Sequence, residues 1–370
     1  MCGSIITLVN YFFLHLGISP ILDRVNIRQS PYRIDQSQRR AIKRRKKRRF
    51  GIGLLAMISI FGVFSFMNNE DTTSSDPVQL DLVAAESDSS NRAKAEQDRL
   101  ELQRKIEASP LSRVELPTQG QSAIGTLELG TIIAADNEQQ VPIASITKLI
   151  TALVILEKQP LAIGELGRVI ELTAQDEQYY WDYVALLGTI TPVTAGFSMT
   201  QYESLQAMLL TSSNNMSDTI VDNYFASSQE YVNYANDYLR RQGLENTQVA
   251  DATGFSPDSK STPSDLVVLA QLALNNPIIR EIVAQPEAMI SVAGSIPNYN
   301  PLITDPDVIG LKPGATDEAG YTLLFAANLP NSNGESETFI GVTLGIVDRA
   351  EYVQTARNMI INARTAFLQQ

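Results

Sequence analysis

The chain has 370 residues, 44% of them hydrophobic, a formal net charge of −12, one histidine (His15) and one cysteine (Cys2). That length and apolar content support one domain of about 250 residues with appendages. With both of those side chains near the N-terminus, the rest of the chain cannot build a Ser-His-Asp or Cys-His nucleophile, a zinc site of histidine or thiolate, or a disulfide framework.

Charge is divided along the chain. Residues 1–50 hold 12 of the 29 Lys and Arg but only 2 of the 41 Asp and Glu, so everything that follows is strongly acidic. A large acidic body repels phosphates, which excludes nucleic acid as a partner. The apolar stretch Ile5–Leu22 is interrupted by Asn10, His15 and Pro20 and reads three ways: a second membrane segment, an interfacial segment, or an over-extended start of the reading frame. Cys2 has no lipobox before it. The basic run Arg39–Arg49 then abuts Phe50–Met67, eighteen residues without a charge. A helix of that length spans about 27 Å, the thickness of a bilayer core. The expectation is a basic cytoplasmic segment at 1–49, a transmembrane helix at 50–67 and an extracytoplasmic remainder, since Lys and Arg stay on the cytoplasmic side. Asn68-Asn69-Glu70-Asp71 follows instead of a small-residue cleavage site, as for a retained anchor.

Residues 68–110 have the composition of a polar spacer, within which Asn91–Ala108 suits a short exposed helix or coiled-coil stalk. From Leu111 the texture is globular, and 111–370 is expected to be the functional domain. Ser122–Leu127 and Thr131–Ala134 predict two short strands around Gly125 and Gly130. After Pro142 and Ala144, apolar residues at Ile146, Leu149, Ile150, Leu153, Val154 and Leu156 mark one buried helix face. Ser145 and Lys148 stand three apart on that helix, within reach of each other.

A serine hydroxyl is a weak nucleophile until a base takes its proton, and lysine is such a base only when neutral. Burial and the positive end of a helix dipole both favour the neutral amine. One S-x-x-K pair arises by chance about once in a chain of this size. Taken singly, it is also a capping serine followed by a first-turn lysine. Two further stretches accompany it: Met208–Asn215 closes an apolar helical run with hydroxyls and amides, and Val308–Thr316 with Ala319–Ala327 reads as strand, turn, strand. Singly, Ser212–Asn214 would be a helix cap and Lys312 an exposed edge-strand charge. Further helical periods cover Tyr202–Phe225, Gln229–Gln242, Pro263–Ala284 and Glu351–Gln370.

In these motifs the chain resembles the serine-type D-alanyl-D-alanine carboxypeptidases, the low-molecular-mass penicillin-binding proteins. The residues concerned are Pro142–Leu149, Ser212–Asn214, Asp251–Gly254 with Ser261–Leu266, Asn298–Leu302 and Gly310–Tyr321, within roughly Gly120–Asn362. The resemblance implies an α/β (α+β) fold of the β-lactamase and penicillin-binding-protein type, an antiparallel five-stranded sheet flanked by helices with an all-helical subdomain. It implies that Ser145 is acylated by a peptidoglycan stem peptide ending in D-Ala-D-Ala, with β-lactam antibiotics as covalent inhibitors and no cofactor or metal. Lys148 would take the Ser145 proton and Ser212 relay one to the leaving amine. Asn214 would hold Lys148 and the substrate amide, and Lys312 would attract the terminal carboxylate. Gly314, Ala315 and Thr316 would line the substrate, with the backbone N–H groups of Ser145 and Ala315 as the oxyanion hole. Ser213 and Asn215 offer a second register for the middle motif.

The sequence departs from the family at Pro313, where the third motif usually carries a threonine. Loss of that hydroxyl weakens carboxylate binding by about 1–3 kcal/mol if the carboxylate is left underpaired, with Thr316 as a partial substitute. The resemblance and this departure are compatible with three functions: a membrane-anchored carboxypeptidase at the bacterial cell membrane, a non-catalytic or weakly active wall-peptide or penicillin-binding module, and a β-lactamase. No glutamate lies in the E-x-x-L-N pattern that class A β-lactamases use. Trp181, with Tyr179, Tyr180 and Tyr183, is expected in core packing or as a loop anchor.

Overall fold

The computed structural model describes residues 78–136 and 138–369, with side chains from Arg92 onward. All of them belong to the unit Glu70–Gln370. The expected cytoplasmic head and transmembrane helix lie outside the described residues. Among the described residues no single helix is long and apolar enough to cross a membrane.

Helix α1 (Val78–Ala108) occupies most of the stretch read as a spacer and starts well before Asn91. Its 31 residues measure about 46 Å at 1.5 Å each. Charged pairs one turn apart support it, Glu96 with Arg99 at 2.7 Å and Glu101 with Lys105 at 3.3 Å. Ser109 and Pro110 end it in a 3-10 turn, Pro110–Arg113, that buries Leu111 completely.

The elements that follow are β1 (Gln121–Thr126), β2 (Gly130–Ala134), β3 (Val141–Pro142), α2 (Thr147–Lys158), β4 (Val169–Glu171), α3 (Ala174–Ala185), β5 (Ser198–Thr200), α4 (Gln201–Leu210), α5 (Asn214–Tyr224), α6 (Ser228–Arg241) and β6 (Lys260–Ser261). The chain continues through α7 (Pro263–Asn275), α8 (Pro277–Val283), β7 (Glu287–Ile290), β8 (Gly294–Pro297), β9 (Val308–Thr316), β10 (Gly320–Pro330), β11 (Ser336–Ile346) and α9 (Arg349–Leu368). The main sheet is antiparallel and five-stranded in the order β2-β1-β11-β10-β9, so both ends of the domain build it. The α/β fold class is therefore as the sequence implies.

Strand alternation divides the core in two. Leu324 and Ala326 of β10, with Ile340, Val342 and Leu344 of β11, face the helices of the first and largest cluster. Leu323, Phe325, Ala327, Phe339 and Ile346 point the other way, onto α9 and Leu111. Both faces being buried, the strands read as long apolar runs.

Two single helices expected from periodicity are each two. The 202–225 run breaks at Thr211–Ser213, where small hydroxylated residues compete for the backbone: Ser212 takes φ 62° and the Ser213 hydroxyl caps α5 at Met216 N–H. The 263–284 run breaks at Asn276, whose side chain accepts from the N–H groups of Ile278 and Ile279, with Pro277 starting α8. The two helices bend by 100° there.

Trp181 does not sit in the core. It lies on helix α3, 55% exposed, with the Tyr180 ring edge-on to it. Thr173 and Asp176 form a capping box that starts this helix; Tyr179 and Tyr183 reach toward α5, Tyr180 packs against the larger core cluster, and Trp181 is left outward.

Candidate active site

A 3-10 turn at Ala144–Ile146 delivers the chain from β3 into α2 and places Ser145 at the helix start. Ala144 has φ 47°, a strained value for a residue with a side chain. Its carbonyl packs against Gly254, where φ is +72° and a Cβ would stand 1.7 Å from Ala144 O. Only glycine fits both conditions. Gly254→Ala is therefore expected to destabilise the fold by more than about 1 kcal/mol and to misplace Ser145, lowering both melting temperature and penicillin acylation. An unchanged melting temperature would contradict this packing.

Lys148 follows one turn later and is fully buried. Its Nζ lies 3.1 Å from Ser145 Oγ and donates to Asn214 Oδ1 and to the Thr253 carbonyl, each at 2.7 Å. Two of these three partners can only accept, so they use the two protons of a neutral amine. The remaining lone pair faces the one partner able to donate, the Ser145 hydroxyl. Burial pushes Lys148 down to about 7, while the charges of Asp251 and Asp218 pull in the other direction.

Asn214 is placed by the junction between α4 and α5, since its N–H donates to Thr189 O at 2.8 Å. Ser212 sits in the preceding turn, buried and with left-handed backbone, its carbonyl accepting from the Thr189 hydroxyl. The alternative register turns away from Lys148: Ser213 Oγ donates to Asn215 Oδ1 at 2.8 Å, and the Asn215 side chain is spent on both backbone groups of Thr191.

The third wall is β9, the edge strand of the sheet. A Cβ on Gly314 would lie 2.8 Å from Ser145 N and 2.7 Å from Thr322 Oγ1, so the strand approaches the Ser145 turn through backbone alone. Lys312 is fully buried, with Pro313 O at 3.4 Å from Nζ. Its amine is held far below the ordinary lysine range, first by burial and then by Lys148. Pro313 pairs with Leu323, and an edge position tolerates the missing N–H. Ala315 is exposed, and Thr316 closes the β9–β10 turn by accepting from Ala319 N–H at 3.1 Å.

The structure thus brings Ser145, Lys148, Asn214 and Gly314 into direct apposition, with Ser212 and Lys312 beside them, and leaves Ala315 and Thr316 farther along the strand. It also adds residues that residue types alone did not assign. The Thr253 carbonyl is one. Asp251 is another, accepting from the N–H groups of Thr253, Gly254 and Ser256 at 3.0, 2.6 and 2.7 Å and so shaping the loop. Among the described residues no group of three or more His, Cys, Asp or Glu is arranged to hold a metal ion.

Comparison with known proteins identifies the family and supports the fold. The family described as D-alanyl-D-alanine carboxypeptidase matches residues 120–344. A D-alanyl-D-alanine endopeptidase of Pseudomonas aeruginosa is 27% identical over 249 residues, 61% of this chain and 74% of that one. A D-alanyl-D-alanine carboxypeptidase of Mycobacterium tuberculosis is 27% identical over 232 residues, 60% of this chain and 74% of that one. Among solved structures, a Streptomyces DD-transpeptidase superposes with a TM-score of 0.60 at 23% identity, covering 68% of this chain and 100% of that one. That last likeness speaks for the fold alone.

Proposed function

This chain belongs to the D-alanyl-D-alanine carboxypeptidase family, and from that premise we propose that it removes the terminal D-alanine from peptidoglycan stem peptides through an acyl-enzyme on Ser145. The observation that carries the reading is the buried Lys148 amine, with two acceptors occupying its protons and the Ser145 hydroxyl opposite its lone pair. As Ser145 Oγ attacks the carbonyl between the two D-alanines, its proton passes to Lys148 Nζ. Lys148 then passes that proton through the Ser212 hydroxyl to the leaving amine. Asn214 keeps Lys148 aligned and contacts the substrate amide. The N–H groups of Ser145 and Ala315 receive the developing oxyanion, a contribution of about 10²–10³ in rate per donor. Lys312, buried beside Lys148, regains its charge when the substrate carboxylate arrives. Water then hydrolyses the ester. The proposal places the domain outside the cytoplasm of a bacterium, held at the membrane by residues 50–67, with α1 as part of the stalk.

The relative named as an endopeptidase favours a second reading on the same chemistry, cleavage of a crosslink between stem peptides. The purified chain is to be incubated with a peptide ending in D-Ala-D-Ala and, separately, with a crosslinked dimer, measuring D-alanine and monomer release. Turnover of the first supports the carboxypeptidase and turnover of only the second the endopeptidase. Neither product, together with no covalent penicillin adduct, rejects both.

Pro313 supplies a separate expectation. Restoring a hydroxyl with Pro313→Thr gives a substrate or antibiotic carboxylate one more donor, worth about 1.4 kcal/mol, or about tenfold in the second-order rate of penicillin acylation. Equal rates in the two proteins would show that the hydroxyl has no part in recognition here.

A further inference from the structure

Behind Lys148 lies a polar cluster that the mechanism above does not use. Asp218 stands on α5 one turn beyond Asn214, so the two share a helix face. The Tyr183 hydroxyl, from α3, donates to Asp218 Oδ2 at 2.8 Å. One turn away on the same two helices the Tyr179 hydroxyl donates to Asp222, a second rung of the same kind.

Tyr183 is itself fixed against both segments that supply acceptors to Lys148. Its ring meets the Phe255 ring edge-on at 5.9 Å, two residues beyond the Thr253 carbonyl. At Gly188 a Cβ would stand 2.6 Å from Asn214 Nδ2 and 3.1 Å from the Tyr183 ring, so the ring and the Asn214 amide are neighbours across that glycine. The other nearby carboxylate, Asp251, is spent on three backbone N–H groups of its own loop. Asp218 accepts instead from a tyrosine on a facing helix, and its charge acts on Lys148.

We propose that Asp218 is a positioning residue for proton transfer: fixed by Tyr183, its carboxylate stabilises the Lys148 ammonium that forms when Ser145 gives up its proton. The inference rests on the acyl-enzyme reading above. The proton moves from Ser145 Oγ to Lys148 Nζ, and the Asp218 carboxylate takes no proton in the step. Its role in this histidine-free site corresponds to that of the aspartate behind the histidine of a Ser-His-Asp triad, which stabilises the cation without taking its proton.

The groups acting on Asp218 come from every side. Lys148 of α2, Tyr183 of α3, Asp222 of α5 and Asp251 of the 251–256 loop all act on its carboxyl, while Tyr179 of α3 and Tyr231 of α6 feel its charge in turn. On α4 the titratable Tyr202 and Glu203 are engaged elsewhere, with Glu281 and with Thr200 and Ser291. Burial pushes Asp218 up to about 7, and the Tyr183 hydrogen bond works against that rise. Tyr183 therefore helps to keep the carboxylate ionised at neutral pH.

The test is the pH dependence of benzylpenicillin acylation in the full chain carrying Asp218→Asn. The amide keeps an acceptor for Tyr183 and removes only the charge. Lys148 then loses a group that raised its pKa, so the acidic limb should move down by roughly one pH unit. The plateau should fall about tenfold, because the ammonium forms with Asp251 still acting on it but without Asp218, the second of its two countercharges. Tyr183→Phe, which keeps the ring and its packing, should move the limb the same way at neutral pH and approach the parent rate at higher pH, where Asp218 ionises without help. A lowered melting temperature with the limb unmoved in both variants overturns the proposal and leaves Asp218 a structural residue. If the parent chain forms no adduct at any pH, the acyl-enzyme reading falls and this inference with it. If the parent is acylated and the limb stays in place, only this inference falls.

Discussion

Ser145→Ala is expected to remove every covalent penicillin adduct and to lower D-alanine release by about 10⁶-fold, the scale on which a serine acyl-transfer enzyme loses activity with its nucleophile. The fold should survive. Ser145 is only partly buried and its Oγ meets Lys148, which keeps Asn214 Oδ1 and the Thr253 carbonyl as partners in the variant. Ser213 is turned onto Asn215 and Thr147 lies against Gly254, so neither of these hydroxyls is placed to take over. Intact-mass measurement after exposure to benzylpenicillin decides the matter, and added mass on the alanine variant would move the nucleophile to another residue.

Lys148→Met should leave Ser145 in place yet slow acylation by about 10²–10⁴-fold, the usual contribution of a positioned general base. Its pH signature is as informative as its size. In the parent chain Lys148 is held at about 7, so acylation should rise with pH through that value and level off above it, whereas the methionine variant should lack that limb. The stability counterpart has a definite sign. Between about 7 and the ordinary 10.5 the unfolded chain binds a proton that the folded chain does not, so stability of the parent rises with pH across that window. The cost of burying the amine is fully present below about 7 and vanishes above the unfolded value. Lys148→Met removes this dependence, although it leaves the Asn214 and Thr253 oxygens underpaired at about 1–3 kcal/mol each. Urea midpoints of both proteins at pH 7 and pH 9.5 measure it, and parallel shifts in the two would refute a neutral buried lysine.

How much of this was legible beforehand depends on whether a feature is local. The pairing of Ser145 with Lys148 follows from helical spacing alone, and the apolar face carrying it was visible in the run from Ile146 to Leu156. The lack of histidine beyond position 15 restricted the base to an amine. The breaks at Thr211–Ser213 and Asn276 were missed because apolar periodicity continues across them. Side-chain caps, which cost no change in pattern, turn the chain there. Trp181 was misplaced because a large aromatic side chain suggests burial, whereas the capping box and polar neighbours of α3 leave it at the surface.

Sequence by itself determined the spacing of Ser145 and Lys148, the helix that follows them, the strand clusters at both ends of the domain and the resemblance to a family. Tertiary structure alone decided what surrounds the Lys148 amine: the acceptors at Asn214 and Thr253 come from 66 and 105 residues away, one of them a backbone carbonyl with no side-chain signature. It also decided which of two serine–asparagine registers faces the amine, and it brought Asp218 and Tyr183 together from different helices. The physical reason is that a pKa belongs to an environment. Burial and fixed charges set it, and both exist only once distant segments have packed.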